Sequence, residues 1–509
     1  MAKRGAGISE AAFRTGILAL GLAAGVILLI NLSRALGVYA IFAYIILTSS
    51  GLVCLRILTP LGKDSASWVI YMLFAPVFWL MPFFIWGRGN ITYKRREKLE
   101  RAENKYIAHK FDDEEGLLSE TLRLSAAFPQ AGLTVKLLYD TGFPARPHTS
   151  YRYYPNVKTL YDDVLADLKN AESYVFIEEN KVQTGPLWDR IKIVLIEKAA
   201  QGVEIRILTG AGGEGEIGEN IFRELDVHGI KVIKLKKNTS IFKRLMPDSP
   251  ENRGFIVIDG VIAYSGPSYI PGGGAGANFQ DAGIRLTGRA AWGMTAAFMA
   301  MWEVRSGETQ DNNIGVHEPK KEKKAADSGF VLPFIDKPGN QGRSILQAIQ
   351  LRLISGASRF IYISLPLLKT DRALEEAIIN AACLGVDIRI IITGSDRKIN
   401  ISASRGSYSR LLAAGVRIFE HDLNNAGVTA CAVLCDNEQA VIDYSTAITS
   451  ACSYGNAVWL CGVARLKDIE TNFELMLDSS VEIRPEIWKN SSALTKISCL
   501  LVKGYQGLL

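Results

Sequence analysis

Asn252-Arg253-Gly254-Phe255-Ile256-Val257-Ile258-Asp259-Gly260 and Thr429-Ala430-Cys431-Ala432-Val433-Leu434-Cys435-Asp436 are the two stretches on which the reading of the fold turns. Each is a short apolar run of strand length, closed by an aspartate at the same offset from its start. Asp259-Gly260 and Asp436-Asn437 are turn dipeptides of the kind that join antiparallel strands. The same hairpin signal therefore occurs twice in one chain.

The surroundings of the two stretches repeat as well. Leu187 to Gly202 has helical spacing and leads into Val203-Glu204-Ile205-Arg206-Ile207-Leu208-Thr209-Gly210, while Leu374 to Gly385 leads into Val386-Asp387-Ile388-Arg389-Ile390-Ile391-Ile392-Thr393-Gly394. Downstream, Gly229-Ile230-Lys231-Val232-Ile233 matches Gly415-Val416-Arg417-Ile418-Phe419. Strand and helix signals alternating in this order, written twice, predict an α/β fold of two tandem halves, each with a parallel or mixed sheet.

A chain of 509 residues has room for two or three domains, and its 48% hydrophobic content is concentrated in the first 86 residues. Three apolar runs, Thr15 to Leu32, Tyr39 to Leu58 and Trp68 to Trp86, approach the roughly 20 residues that cross a hydrocarbon core, which predicts about three transmembrane helices. The basic stretch that follows, with Arg88, Lys94-Arg95-Arg96, Lys98 and Arg101, suits anionic headgroups and a cytoplasmic body. Lys3, Arg4 and Arg14 would then lie on the opposite face, against the charge rule. The expected division is 1–104 membrane region, 105–306 first half, 307–329 polar linker, and 330–509 second half with a C-terminal helix. The linker, with Lys320-Lys321-Glu322-Lys323-Lys324, has the composition of a solvated connector. Ile487 to Leu509 reads either as a packed terminal helix or as a segment lying in a membrane interface.

Seven cysteines, at 54, 383, 431, 435, 452, 461 and 499, lack the spacing of a disulfide framework. Cys431 and Cys435 share a strand face without a second Cys or His pair, so no metal and no cofactor is expected. The net charge of +6 is modest, and set beside the apolar runs it favours an anionic phospholipid membrane over nucleic acid as the partner.

The two stretches, the repeat around them and the membrane-type N-terminal region together resemble bacterial cardiolipin synthase, of the phospholipase D superfamily. Gln280-Asp281-Ala282-Gly283-Ile284-Arg285-Leu286-Thr287-Gly288, with a helix ending Met301-Trp302-Glu303, is similar to the segment that closes the family's first half. In that family each stretch reads His-x-Lys-x-x-x-x-Asp, and the resemblance implies a site built from both. One histidine forms a phosphohistidine, the other handles the proton, the lysines hold phosphoryl oxygens, and the aspartates orient the histidines.

Carried onto this chain, the histidine positions are Asn252 and Thr429, the lysine positions are Gly254 and Cys431, and Asp259 and Asp436 alone keep the family's residue. The family's downstream asparagines fall on Tyr269 and Thr446. An amide is neither a useful nucleophile nor a proton donor at neutral pH, and glycine has no side chain to offer. The six positions therefore read as vestigial, and His421, upstream of Thr429 in an expected loop, is the one histidine placed to approach the cleft. Three functions compete: a catalytically silent phospholipid-binding or regulatory protein, partnered by a membrane and by an active phospholipid synthase or other membrane protein; an active cardiolipin synthase; and a nucleic-acid-binding protein of the same fold.

Overall fold

The computed structural model describes residues 93–108, 114–146, 149–210, 218–234, 251–267, 269–272, 281–307, 317, 329–336, 344–368, 372–392, 402, 404–421, 430–444, 454–463 and 466–489, with isolated positions at 27, 30, 31, 34, 37, 39, 492 and 499. The chain divides into two units, Lys94–Lys237 with Ser249–Ser491, and Met1–Tyr93 with Asn238–Asp248 and Ser492–Leu509. The three apolar runs fall in the second of these, outside the described residues apart from isolated positions. Among the described residues no helix is long and apolar enough to cross a membrane.

The larger unit contains the predicted duplication. In the first half, β1 (Thr149–Tyr154), β2 (Tyr174–Glu179), β3 (Glu204–Thr209), β4 (Lys231–Lys234), β5 (Gly254–Ile258), β6 (Ile262–Ser265) and β7 (Gly283–Gly288) form one sheet in the order β1-β7-β6-β5-β2-β3-β4. In the second half, β8 (Phe330–Asp336), β9 (Phe360–Leu365), β10 (Asp387–Ile392), β11 (Arg417–His421), β12 (Cys431–Cys435), β13 (Gln439–Asp443), β14 (Tyr454–Cys461) and β15 (Ser480–Glu482) follow the order β8-β14-β13-β12-β9-β10-β11-β15. Position for position the first seven strands of each sheet agree. β2, β3 and β4 run parallel, as do β9, β10 and β11, and the hairpins β5–β6 and β12–β13 add antiparallel strands to each sheet.

Local chemistry explains the elements. The helix α1 (Val157–Lys169) starts where the Asn156 side chain accepts from Thr159 N at 3.0 Å, and α4 (Ile345–Gly356), below, starts the same way with Ser344 Oγ accepting from Gln347 N at 2.9 Å. Between β2 and β3 the helix α2 (Pro186–Ala200) carries Pro186 in its first turn, where no N–H is needed. Leu160, Val164, Ile191 and Leu195 from α1 and α2 pack on Val175, Ile177, Ile205, Ile207, Ile256 and Ile258 of the sheet, forming the first half's core. On the sheet's other face lies α3 (Ala290–Ser306), buried along most of its length, with Phe298 stacked on Phe176 at 4.7 Å. Gly307 stops α3 at φ +72°, a left-handed cap that glycine adopts without strain.

One expectation changes, and one of two open readings gains a partner. The 307–329 segment is not all free connector: His317 is buried against the first half, its Nε2 at 3.0 Å from Glu204 Oε2 and its carbonyl accepting from Tyr174 Oη at 3.0 Å. Near the C-terminus, Pro485–Lys489 is helical, and Trp488 Nε1 donates to Ser409 Oγ at 2.8 Å while its ring meets Tyr408 at 5.3 Å. The start of that segment therefore packs as an ordinary terminal helix; most of its remainder is outside the described residues.

Candidate functional site at the junction of the halves

The two aspartates occupy equivalent places, at the hairpin turns. Asp259 (φ 51°) with Gly260 (φ 68°), and Asp436 (φ 53°) with Asn437 (φ 58°), put two successive residues in the left-handed region, as a type I′ turn requires. Asp259 accepts from the backbone N–H groups of Glu172, Ser173 and Tyr174 at 2.8, 2.7 and 2.9 Å. Asp436 accepts from Ser358 N, Arg359 N and Phe360 N at 2.8, 2.9 and 2.8 Å, and from Ser358 Oγ at 3.0 Å. Burial pushes the Asp436 carboxyl up, but these N–H groups outweigh it and hold the acid below its ordinary range.

This corrects the role that the resemblance implied for the aspartates. Asp259 stands at the opposite end of β5 from Gly254, five residues of strand or roughly 16 Å away, so it cannot orient a group at the motif's head. Both carboxylates instead fasten each hairpin to the start of the neighbouring strand.

At the motif heads the halves are joined. Asn252 lies in a two-residue strand, Glu251–Asn252, that pairs in parallel with β14 of the second half. Gly254 N donates to Asn456 Oδ1 at 2.8 Å, and Asn456 Nδ2 donates back to Gly254 O at 3.0 Å and to Ser265 Oγ at 2.6 Å. Asn456 has no exposed surface, so this amide from the second half occupies the ground beside the lysine position of the first. The reciprocal tie is Asp281, also fully buried, whose Oδ1 accepts from Ala430 N at 3.1 Å and whose Oδ2 accepts from Tyr269 Oη at 2.7 Å. Thr429 itself, like Thr446, is outside the described residues; its neighbour Ala430 is held by Asp281.

The charge at these positions is acidic. Glu179 is the cross-strand partner of Gly254, and burial, then the charge of Glu178, raises its acid well above the ordinary range. Cys431, fully buried opposite Asp443, has its thiol pushed well up by burial and then by Asp443, the reverse of what a thiolate nucleophile needs. Asp443 in turn lies 3.5 Å from Gln350 Nε2. Glu179, Asp281 and Asp443 thus gather where negative phosphoryl oxygens would call for cations. His421 does not supply a base here. It ends β11 as a buried strand residue, with Nδ1 3.2 Å from Ser480 Oγ and 3.3 Å from Ser479 Oγ, because β15 covers that edge and encloses the ring.

Sequence reasoning missed Asn456, and quoted Asp281 only as part of a closing segment. Asp281 carried a signal, standing just before β7 in the segment compared with the family. Asn456 carried none, because its partners are 202 and 191 residues away in sequence.

Near this centre, Asp336 has its carboxyl pushed up to about 7, by burial first and by the charge of Asp443, against the lowering effect of Leu346 and Ile345 N–H groups. A proton held more tightly in the folded state than in the unfolded one stabilises fully below the unfolded pKa and is lost as pH rises to the folded value. Stability in chemical denaturation should therefore fall between pH about 4 and about 7, by at most about 4 kcal/mol from this group. Asp336→Asn should flatten that limb; an unchanged slope would remove Asp336 as its source.

Residues 351–473 match the family model described as cardiolipin synthase, PLD-like domain. Over 86% of this chain and 95% of its own length, a Streptococcus mutans protein described as uncharacterized is 24% identical. A cardiolipin synthase of Alkalihalophilus pseudofirmus is also 24% identical, over 74% of this chain and 75% of its own. Among solved structures, Haemophilus influenzae phosphatidylserine synthase aligns with a TM-score of 0.53 at 9% identity, covering 73% of this chain and 97% of its own, a likeness of fold.

Proposed function

We propose, for a chain that is a cardiolipin synthase-like protein of the phospholipase D superfamily, that the junction of the halves is catalytically silent and that the protein works by binding anionic phospholipid at a membrane. The observation that carries this reading is the pair of lysine positions. Gly254 is spanned on both its N–H and its carbonyl by Asn456, and Cys431 is a fully buried thiol against Asp443. Neither can hold a phosphoryl oxygen by charge, and Asn252 in a histidine's place offers no nucleophile.

Magnitude favours the same reading. Loss of acid–base help costs about 10²–10⁴ in rate, and loss of the nucleophile removes the covalent route. The apolar runs and the basic stretch around Lys94 to Arg101 support membrane anchoring through about three transmembrane helices, with the body on the cytoplasmic side. An active phospholipid synthase or another membrane protein is the partner class such a body would regulate.

Full-length protein in phosphatidylglycerol vesicles is expected to form no cardiolipin over hours. Product that accumulates with time and disappears on Cys431→Ala or Asn252→Ala would establish the competing reading, an active phosphatidyl transferase.

A further inference from the structure

Arg253 precedes Gly254 in the motif, and its ion-pair partner Glu178 lies with Phe255 and Ser265 on the face of the first sheet that α3 covers. Its neighbours in the motif, Asn252 and Gly254, alternate with it along the strand. The guanidinium is almost wholly buried, 1% exposed, and Nη2 lies 2.7 Å from Glu178 Oε1. Nε and Nη1 have no hydrogen-bond partner among the described residues. Such groups are costly to leave bare in a protein interior, on the order of 1–3 kcal/mol each.

These donors line a cavity of about 20 Å³ at the carboxyl ends of the parallel strands β2 and β3, bounded also by Glu179, Asn180, Thr209 and Arg305. That volume takes one oxygen-sized group, and the cavity is partly open. Carboxyl ends of parallel strands are where open α/β sheets receive ligands. The cavity shares only Glu179 with the junction described above. Its charged groups are Arg253, Arg305 and Glu178, and beside them burial and the charge of Glu178 raise the Glu179 acid well above its ordinary range. The lining thus presents the bare Nε and Nη1 donors of Arg253 to whatever enters.

We propose that this cavity is a phosphate-binding site in which one oxygen of a phosphate group accepts from Arg253 Nε and Nη1, the rest of the group lying at the mouth. Arginine's planar fork fits this task, and burial strengthens the interaction by excluding water. The site is independent of whether the junction of the halves is catalytic. A free phosphate and a phospholipid headgroup offer the same chemistry.

Phosphorus NMR line width separates these sources when full-length protein in detergent micelles is titrated, at ionic strength held constant with chloride, with inorganic phosphate or with dihexanoyl phosphatidylglycerol. Saturable broadening in the phosphate arm identifies a free anion as sufficient; broadening in the lipid arm alone identifies the headgroup. Arg253→Met should weaken binding on the order of tenfold or more. Because that change also strips Glu178 of its partner, Arg253→Lys, which keeps the charge without the fork, and Thr209→Val, which leaves the ion pair intact, should weaken binding severalfold in a folded protein. No saturable broadening in either arm, or affinity unchanged in the folded variants, overturns the proposal and leaves Arg253 satisfied by water.

Discussion

Asn456→Leu is expected to destabilise the protein by about 3–5 kcal/mol, since the apolar side chain would orphan Gly254 N–H in a buried site, take the Asn456 donor from the Ser265 hydroxyl, and leave Gly254 C=O with Gly266 N–H alone. Asn456 Oδ1 and Nδ2 serve all three groups at 2.6–3.0 Å, and both residues of the first half lie in strands of its sheet. Ser265→Ala removes a single partner and should cost about 1 kcal/mol. Denaturant midpoints of full-length protein in micelles measure both. A loss of 1 kcal/mol or less for Asn456→Leu would mean that this amide does not hold the halves together, leaving that to the Asp281–Ala430 tie, the Glu251–Asn252 strand pairing and apolar contact. Because the interaction spans the two halves, the same substitution should also weaken their cooperativity, seen as a broadened transition with a reduced denaturant slope.

Asp436→Ala should be nearly as severe, about 3–4 kcal/mol, for two reasons that add. The carboxylate's four hydrogen bonds to Ser358, Arg359 and Phe360 disappear, and alanine must adopt φ 53°, which aspartate tolerates better. Asp436→Asn keeps the turn and an acceptor oxygen, so it should lose about half as much. The pH dependence has the opposite sign to that of Asp336. Asp436's acid is lowered in the folded state, so its contribution is present above the unfolded value near 3.8 and is lost as pH falls through the folded one. Asp436→Asn should therefore relieve acid destabilisation while Asp336→Asn relieves the loss toward neutral pH. A wild-type profile without a maximum between these limbs would contradict the assignment of both groups.

These expectations rest on residues whose importance had unequal visibility. Asp259-Gly260 and Asp436-Asn437 were legible as turns because a left-handed backbone restricts which residues fit, a purely local constraint. The helices around 187–202 and 374–385, and the strands after them, were legible for a similar reason. Apolar spacing along a few turns fixes which face is buried, and the observed elements, Pro186–Ala200 with Glu204–Thr209 and Arg372–Cys383 with Asp387–Ile392, differ from the reading by one or two residues at their ends. His421 was misread because the strand covering it, Ser480–Glu482, comes from about 60 residues later in the chain, where no local pattern points back to residue 421. The burial of His317 was hidden for the same reason: the polar 307–329 segment reads as a connector, and the partners of His317, Glu204 and Tyr174, are more than a hundred residues away.

By itself the sequence determined that this is a duplicated α/β chain with hairpin turns at Asp259 and Asp436, and it put Asn252, Gly254, Thr429 and Cys431 where the family it resembles carries histidines and lysines. Periodicity, turn residues and side-chain identity are local properties, so they survive reading in one dimension. Tertiary structure alone decided what surrounds those positions. Asn456 fills the place beside Gly254, Asp281 holds Ala430, Glu179 and Asp443 make the centre acidic, and the two aspartates brace strands about 16 Å from the motif heads. The physical reason is that burial and cross-half hydrogen bonding depend on which segments meet. Segments 150 to 200 residues apart meet here only once both sheets have formed.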